Sequence, residues 1–369
     1  MRIIGWALFA VLAAFAFLFA YGCLVLSAPA WKGPVTDHFD GERFHNVPKI
    51  EHRGFGEFLK WRFTREVSPW KVREMAPGSP PPERAAEGQV RATPVGHATV
   101  LIQMDGLNIL TDPVWSERVG PFPWLGPKRY QAPGIRFEDL PPIDVLLITH
   151  NHYDHMDLPT IRRLVDRFKP RIYTTLGNAA FLESRGIAVE GELDWWDEAE
   201  LAGGVKLTAV PARHFSARGL CDRDRTLWAS FHIAGPAGSV LFAGDTGFGS
   251  HFEEVRSRLG APRLAILPIG SYKPEWFMSA VHVSPREAVE AMRILGAEAA
   301  IPIHYNTFAL GDDAQDEASR ELTNALADAG VEPGRFQALP PGEFIELSPP
   351  AACRACETKT DVNSDGGRP

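Results

Sequence analysis

The sequence predicts an α/β fold in which mixed β-sheets are flanked by helices. Short apolar runs typical of strands are clustered from residue 90 onward, and later runs alternate with segments of helical periodicity. Adjacent strands favour antiparallel pairing, whereas strands separated by helices favour parallel pairing, so each sheet should be mixed. Histidine or aspartate follows directly after several strands, which indicates a metal site at one edge of the sheets.

The chain begins with an apolar segment that is long enough to span a membrane. No charged residue occurs between Ile3 and Pro29, and a helix needs about 20 apolar residues to cross the hydrocarbon core. The apolar region of a signal peptide is usually shorter, about 7–15 residues. We therefore interpret residues 1–30 as a single-pass transmembrane anchor. Cleavage near Ala28-Pro29-Ala30 and lipidation at Cys23 are the alternatives that the sequence leaves open.

The charges beside this segment predict its orientation. Arg2 and the amino terminus precede it, whereas Asp37 and Asp40 follow close behind Lys32. Positive charge tends to remain on the cytoplasmic side. The body of the protein is therefore expected outside the cytoplasm, on the periplasmic face if the cell is Gram-negative.

Three regions follow the anchor. Residues 31–90 are rich in Pro, Trp and charge without clean periodicity, and we expect them to wrap the main domain as an extension. The main domain is expected over residues 91–348. Residues 349–369 form a polar tail that is predicted to be disordered. The Cys353-x-x-Cys356 pair in this tail is a disulfide, a weak metal site or a pair without function, and the four cysteines are too few and scattered to predict a disulfide framework.

The strands of the main domain are predicted from short apolar runs bounded by turn residues. The first three should form a meander, and the continuous apolar run at 143–149 should be buried on both faces. A helix start is predicted at Ser284, with Ser at the cap, Pro in the first turn and Glu three residues later. The predicted strands lie within 90–95, 98–104, 107–111, 143–149, 171–175, 205–212, 228–235, 239–245, 264–270 and 298–304, and the predicted helices within 158–168 and about 177–185, 251–259, 284–295 and 314–329.

Histidines and aspartates are concentrated just after the ends of these strands. The stretch THNHYDHMD (149–157) follows one strand, and three later strand ends add further members; the set is His150, His152, Asp154, His155, His214, Asp245 and His304. Imidazole and carboxylate groups without thiolate suit zinc or a related divalent ion. Seven ligands exceed what one tetrahedral ion needs. They therefore predict two ions that share a bridging carboxylate and keep open positions for water and substrate.

This order of motifs resembles the metallo-β-lactamase superfamily. The resemblance implies an αββα sandwich of two mixed β-sheets flanked by helices, with a dinuclear metal site at one edge. It implies that His150, His152 and His214 hold the first ion. It further implies that Asp154, His155 and His304 hold the second ion, and that Asp245 bridges both. Water between two such cations has a lowered pKa and acts as a hydroxide nucleophile near neutral pH.

Four other stretches resemble one group of that superfamily, the N-acyl-phosphatidylethanolamine-hydrolysing phospholipase D enzymes. They are DHFDGERFHN (37–46), LTDPVWSERVGP (110–121), LPIGSYKPEWFMSAVHVSPREAV (267–289) and IPIHYNTFAL (301–310). The resemblance implies a phosphodiesterase of phospholipase D type with two Zn²⁺ ions and a membrane lipid substrate. The apolar amino terminus and Tyr305-Asn306 depart from the animal enzyme of this group.

Several residues are candidates for roles around the reaction. Asp154 and His282 are predicted to be catalytic, and His282 would contact phosphate or protonate the leaving alkoxide. The alternative for His282 is to cap the helix that begins after it. Asp112 either orients a ligand histidine or forms a simple turn. Tyr153 either hydrogen-bonds a substrate oxygen or packs against its neighbours.

Two other functions remain open at this point. A hydrolase of a lactone, a β-lactam or a small phosphodiester would use the same ligands, because acyl transfer and phosphodiester hydrolysis both need a metal-activated water. A membrane-anchored metal-binding protein without turnover is the second alternative. A net charge of −8 offers no basic face, so a nucleic-acid partner is not expected. The sequence leaves the oligomeric state open.

Overall fold

The computed structural model describes residues 2–51 and 53–349, so the Cys353–Cys356 pair lies outside the described part. Within that part, two β-sheets lie between layers of helices. The strands are β1 (Val90–Gly96), β2 (Thr99–Met104), β3 (Leu107–Thr111), β4 (Val145–Ile148), β5 (Arg171–Thr175), β6 (Gly191–Leu193), β7 (Glu198–Glu200), β8 (Lys206–Val210), β9 (Ser230–Gly235), β10 (Gly238–Phe242), β11 (Leu264–Pro268), β12 (Ala299–Ile303) and β13 (Ile345–Leu347). The helices are α1 (Arg2–Tyr21), α2 (Phe55–Thr64), α3 (Leu158–Phe168), α4 (Asn178–Glu183), α5 (His251–Leu259), α6 (Glu275–Met278), α7 (Pro285–Leu295) and α8 (Glu317–Asp328).

Both sheets are mixed. The first has the order β13-β1-β2-β3-β4-β5-β6, and the second has the order β12-β11-β10-β9-β8-β7. Pairing is antiparallel among β13, β1, β2 and β3 and parallel from β3 to β6. In the second sheet only the β10–β11 and β11–β12 pairs are parallel. Helices α3, α4, α5 and α7 lie in the connections between parallel strands, as parallel pairing requires.

The core consists of three apolar layers. Side chains from the facing surfaces of the two sheets, such as Ile102 and Phe231, form one layer between them. On the outside, Leu146 of β4 packs with Ile161 of α3, and Leu267 of β11 packs in a cluster with Val289 of α7. This arrangement confirms the αββα sandwich. Because both faces of the central strands are covered, β4 is buried at every position, which explains its unbroken apolar run.

All ten predicted strands and all five predicted helices of the main domain are present. The elements that sequence periodicity did not reveal are short or irregular; they are β6, β7, β13, α2 and α6. Strands of three residues and a helix of four residues are too short for a periodic pattern to be recognised.

Helix α1 continues through a π-helical turn over Gly22–Leu26, so Ile4–Leu26 is one exposed apolar helix of 23 residues. It is long and apolar enough to cross a membrane, and a signal sequence would meet the same criterion. A disulfide between Cys23 and Cys221 ties its end to the main domain. The sequence did not predict this disulfide, because its two cysteines are 198 residues apart in the chain.

The extension at 31–90 packs on the main domain at several points. Phe39 and Phe44 lie in the layer between the two sheets. The Trp61 indole of α2 donates a hydrogen bond of 3.0 Å to Asp312. The Asn46 amide exchanges hydrogen bonds of 2.9 and 3.0 Å with the backbone of His214. This extension therefore contributes to the surroundings of the predicted metal ligands.

Candidate metal centre

The structure brings all seven predicted ligands to one edge of the sandwich. His150, His152, Asp154 and His155 lie in the loop between β4 and α3, His214 follows β8, Asp245 follows β10 and His304 follows β12. Sheet hydrogen bonding fixes the strand ends, so the loops that leave them converge at a rigid edge. His304 has a φ of 63°, and Gly270 makes room for it, since a Cβ on Gly270 would lie 2.0 Å from the His304 carbonyl oxygen.

The side chains form two adjoining groups. In the first group, His150 Nε2 lies 2.8 Å and His214 Nε2 lies 3.3 Å from His152 Nδ1. In the second group, the Nε2 atoms of His155 and His304 lie 3.4 Å from Asp154 Oδ2. Asp245 Oδ2 lies between the groups, 3.2 Å from His155 Nε2, 3.1 Å from His304 Nε2 and 3.7 Å from His214 Nε2. The carboxylate of Asp245 is therefore placed where it can bridge two ions.

Asp112 holds the orientation of histidines in both groups. Its carboxylate is fully buried and accepts hydrogen bonds of 2.8 Å from the Thr149 amide, the Thr149 hydroxyl and His155 Nδ1. The Thr149 hydroxyl in turn lies 2.9 Å from His150 Nδ1. A carboxylate that accepts from Nδ1–H leaves the Nε2 lone pair of the ring directed into the cluster. Asp112 therefore lies where an orienting role requires it.

The donor set fits divalent metal ions. A neutral imidazole carries one N–H, and in His155 and His214 the Nδ1 atoms face Asp112 and the Val281 carbonyl. In the neutral state that binds a cation, their Nε2 lone pairs therefore face the Asp245 carboxylate. Within the described part of the chain, the Nε2 atoms of His155 and His304 and Oδ1 of Asp245 are buried without a hydrogen-bond partner. Buried polar atoms without partners are costly, and cations between them would satisfy them.

Burial and mutual charge shift the pKa values of this metal-free cluster in opposite directions. Burial lowers the pKa of His152 to about 4 and that of His214 well below the ordinary value. Burial also opposes charge on His304, but Asp245 and Asp154 outweigh it and raise the pKa to about 9. The pKa of His155 is likewise raised well above its ordinary value by the carboxylates around it. Protons therefore occupy part of the second group when no cation is bound.

His97, which the sequence left unassigned with a supporting role behind the ligands open, joins the second group. It lies in the turn between β1 and β2 with a φ of 55°, and its Nε2 lies 2.8 Å from Asp154 Oδ2. Burial lowers the pKa of His97 to about 3, so the neutral ring donates its Nε2–H to Asp154. The only signal in the sequence was a histidine after the glycine of a tight turn. Nothing in the sequence relates that turn to a loop 57 residues later.

His282 faces the same cluster. Its ring centroid lies 5.2 Å from those of both His214 and His304, and its buried Nδ1 has no hydrogen-bond partner among the described residues. The cap of α7 is formed by Ser284 and Glu287, whose side chains bond to each other's backbone amides. The capping alternative for His282 is therefore wrong.

A cavity of about 720 Å³ opens beside the cluster. Its wall includes His152, Asp154, Asp245, His282 and His304 on one part and apolar side chains on another; the latter are Phe58, Trp61, Phe215, Leu220, Phe277, Met278 and Leu310. The Trp61 and Phe277 rings stack with centroids 5.2 Å apart. The cavity therefore joins a polar cluster to an apolar wall in one space.

Tyr153 lies in the ligand loop but does not line this cavity. Its ring packs beside Val114 and Phe308, the Arg218 guanidinium lies 4.1 Å from the ring centroid, and its side chain lines a second cavity. Its position supports packing rather than contact with a substrate at the metal cluster.

Comparison with known proteins decides the family. A sequence profile described as "Beta-lactamase superfamily domain" matches residues 107–305, from β3 to just beyond His304. An N-acyl-phosphatidylethanolamine-hydrolysing phospholipase D of Caenorhabditis elegans is 35% identical over 276 residues, 71% of this chain and 77% of the relative. The chain belongs to the metallo-β-lactamase superfamily. It is a metallo-β-lactamase-fold hydrolase related to the phospholipase D group that the sequence resembles.

Two further proteins extend the comparison. A protein of Methanopyrus kandleri that is described as a metal-dependent hydrolase is 30% identical over 263 residues, 70% of this chain and all of the relative. The structure of a metallo hydrolase from Ignicoccus hospitalis superposes with a TM-score of 0.54 at 23% identity, and covers 70% of this chain and 99% of that one. At that identity the likeness concerns the fold alone.

Proposed function

We propose that the protein is a zinc-dependent phosphodiesterase of phospholipase D type that hydrolyses N-acyl-phosphatidylethanolamine-like lipids. The observation that carries the proposal is the cavity in which the cluster and an apolar wall share one space. A phosphodiester lipid has the same division, with a charged phosphate beside long alkyl chains. The relationship to the Caenorhabditis elegans phospholipase D supports the same substrate class.

The metal ligands in this proposal are the seven clustered side chains. His150, His152 and His214 would hold one zinc ion. Asp154, His155 and His304 would hold the other, with Asp245 shared. Zinc is favoured because the donors are mainly imidazole with carboxylate and no thiolate. Two bound ions would supply a nucleophile from water at neutral pH and positive charge for the phosphoryl oxygens.

The reaction would add water across one phosphodiester bond. The P–O bond to the N-acylethanolamine breaks, phosphatidic acid keeps the oxygen of the attacking water, and the leaving alkoxide takes a proton. His282 lines the cavity with an unpartnered Nδ1, and because burial lowers its pKa to about 4, the neutral ring is suited to donate a hydrogen bond to a phosphoryl oxygen. Asp154 would help to position the phosphate through the ion it holds, and His97 would fix the Asp154 carboxylate.

The apolar helix Ile4–Leu26 would hold this active site at a bilayer. The helix end contacts the cavity wall directly, since the Leu220 amide donates a 3.3 Å hydrogen bond to the Gly22 carbonyl and the Leu220 side chain lines the cavity. The Cys23–Cys221 disulfide supports a location outside the cytoplasm, because such bonds persist in oxidising compartments. A reporter fused to the carboxyl end would test this orientation; reporter activity confined to the cytoplasm would contradict it.

The substrate is tested by incubating the full-length protein with vesicles that contain N-palmitoyl-phosphatidylethanolamine. We expect release of N-palmitoylethanolamine and phosphatidic acid, detected by mass spectrometry, and no release by the Asp154→Asn variant. A lactone and a β-lactam are tested as alternative substrates in parallel reactions. Efficient lactone cleavage without turnover of any N-acyl phospholipid would replace the proposed substrate with an acyl compound. Zinc binding without turnover of any of them would indicate a metal-binding protein.

A further inference from the structure

A second cavity, of about 540 Å³, lies on the other side of the ligand loop. It is lined in part by the start of α3, by the segment 116–123 and by Leu26 at the end of the apolar helix. Tyr153 and Asp157 of the ligand loop also face it. None of the seven clustered ligands lines it, so it is separate from the metal centre.

Four arginines line this cavity: Arg118, Arg162, Arg185 and Arg218. Only two acids share the wall, Glu117 and Asp157, and Asp157 already accepts hydrogen bonds from Ser116 and Thr160. None of the four arginines lies within ion-pair distance of a carboxylate in the described part of the chain. Unneutralised cations in a concave site favour an anionic ligand.

Two buried groups in this cavity give further support for an anionic ligand. Arg218 is only 7% exposed, and among the described residues its guanidinium donates hydrogen bonds only to the Asn151 and Met156 carbonyl oxygens, at 2.9 Å each. The Tyr153 hydroxyl beneath it is buried without a hydrogen-bond partner among the described residues. A buried cation that contacts no carboxylate and a buried unpaired hydroxyl are both costly. A ligand with anionic oxygens would satisfy both.

The cavity lies where a membrane-spanning helix would leave the bilayer. Arg185 Nη2 donates a 2.6 Å hydrogen bond to the Val25 carbonyl at the helix end. Phe122 of the cavity wall stacks on Tyr21 of α1 with centroids 6.0 Å apart, and Trp124 beside it is 72% exposed. Aromatic and basic side chains at this level are typical of the lipid headgroup region.

We propose that this cavity binds the headgroup phosphate of an acidic phospholipid, at a site separate from the catalytic one. The arginines would neutralise the phosphate, the Tyr153 hydroxyl would donate a hydrogen bond to it, and the acyl chains would extend along the apolar helix. A lipid is favoured over free phosphate because Leu26 and Phe122 supply an apolar wall next to the cations. Arg218 also holds the ligand loop, so a bound headgroup and the metal loop share one residue.

The test uses full-length protein purified in a nonionic detergent and supplied with equal amounts of phosphatidylglycerol and phosphatidylcholine. Native mass spectrometry then counts the lipids retained on each protein. The variants are Arg162→Gln, whose side chain is exposed, and the double variant Arg162→Gln/Arg185→Gln. The matched control is Arg163→Gln, the neighbouring arginine of α3, which pairs with Glu138 and lies outside the cavity.

We expect the wild type and Arg163→Gln to retain phosphatidylglycerol in preference to phosphatidylcholine. The double variant should lose this preference by about tenfold, with Arg162→Gln between them. Retention of phosphatidylcholine should remain equal in all proteins and serves as the internal reference. Equal retention of the two lipids by the wild type, or an equal loss in Arg163→Gln, would overturn the proposal. Displacement of phosphatidylglycerol by an equimolar amount of inorganic phosphate would show that the ligand is free phosphate, and would overturn the lipid assignment.

Discussion

Replacement of Asp112 by Asn should weaken metal binding in both groups of the cluster. The amide can still accept from the Thr149 backbone, but its NH₂ group would replace the oxygen that accepts from His155 and from the Thr149 hydroxyl. Donor would then face donor. His155 can relieve this conflict only by moving its proton to Nε2, which removes the lone pair directed at the cluster. Rotation of the Thr149 hydroxyl would pass the same change to His150, 2.9 Å away.

The size of the expected loss of zinc affinity follows from the number of hydrogen bonds to Asp112 that change. Two of the three hydrogen bonds to this fully buried carboxylate are lost, and each unsatisfied buried group costs about 1–3 kcal/mol. Loss of a carboxylate partner of a ligand histidine usually reduces metal affinity by about 10–100-fold. We therefore expect a reduction in this range for Asp112→Asn, and the assay is zinc titration against a chromophoric chelator.

A control variant separates this effect from the general loss of a hydrogen-bonded aspartate. Asp105→Asn removes a carboxylate that accepts from the Ala237 amide, far from the cluster, and it should bind zinc as the wild type does. If Asp112→Asn also bound two zinc ions with unchanged affinity, the inferred control of histidine tautomers would be refuted.

Three further predictions concern the same centre. His97→Gln should reduce zinc affinity about tenfold, because the donor to Asp154 is displaced; chelator competition measures this, and unchanged affinity would leave His97 with a packing role only. Phe277→Ala should raise KM for a long-chain lipid about three- to tenfold through loss of the Trp61 stack. The kcat for a small soluble phosphodiester should stay unchanged. An equal loss of activity on both substrates would argue against a lipid-binding wall. Zinc uptake at pH 7 should release protons, because the pKa of His304 is about 9 without metal and only the neutral ring can bind. Zinc affinity should therefore rise with pH up to about 9, and affinity independent of pH between 6.5 and 8.5 would contradict this expectation.

Much of the fold follows from local patterns. The run at β4 is apolar throughout because it is covered on both faces, and the start of α7 has the Ser284–Glu287 capping box that its sequence predicts. The seven side chains of the cluster were also recognisable as candidate ligands, since each follows the end of an apolar run. Local patterns reveal a residue when its role depends on residues near it in the sequence.

Features that depend on distant contacts were not recognisable in this way. His97 reaches Asp154 only after the first sheet has formed, and Cys23 meets Cys221 only when the apolar helix lies against a loop 198 residues away. The orientation of the Tyr153 side chain likewise could not be predicted from its place in the sequence. Its place between His152 and Asp154 left substrate contact and packing equally open, and the structure directs its ring away from the metal cluster.

In the proposed reaction, this cluster directs water to the phosphorus of a membrane phosphodiester. Hydrolysis of N-palmitoyl-phosphatidylethanolamine by the zinc-loaded protein in ¹⁸O-water, followed by mass spectrometry of the products, tests it most directly. Attack at phosphorus predicts one ¹⁸O atom in the phosphate of phosphatidic acid and none in N-palmitoylethanolamine. Label in a released fatty acid, or in the ethanolamine oxygen, would contradict it.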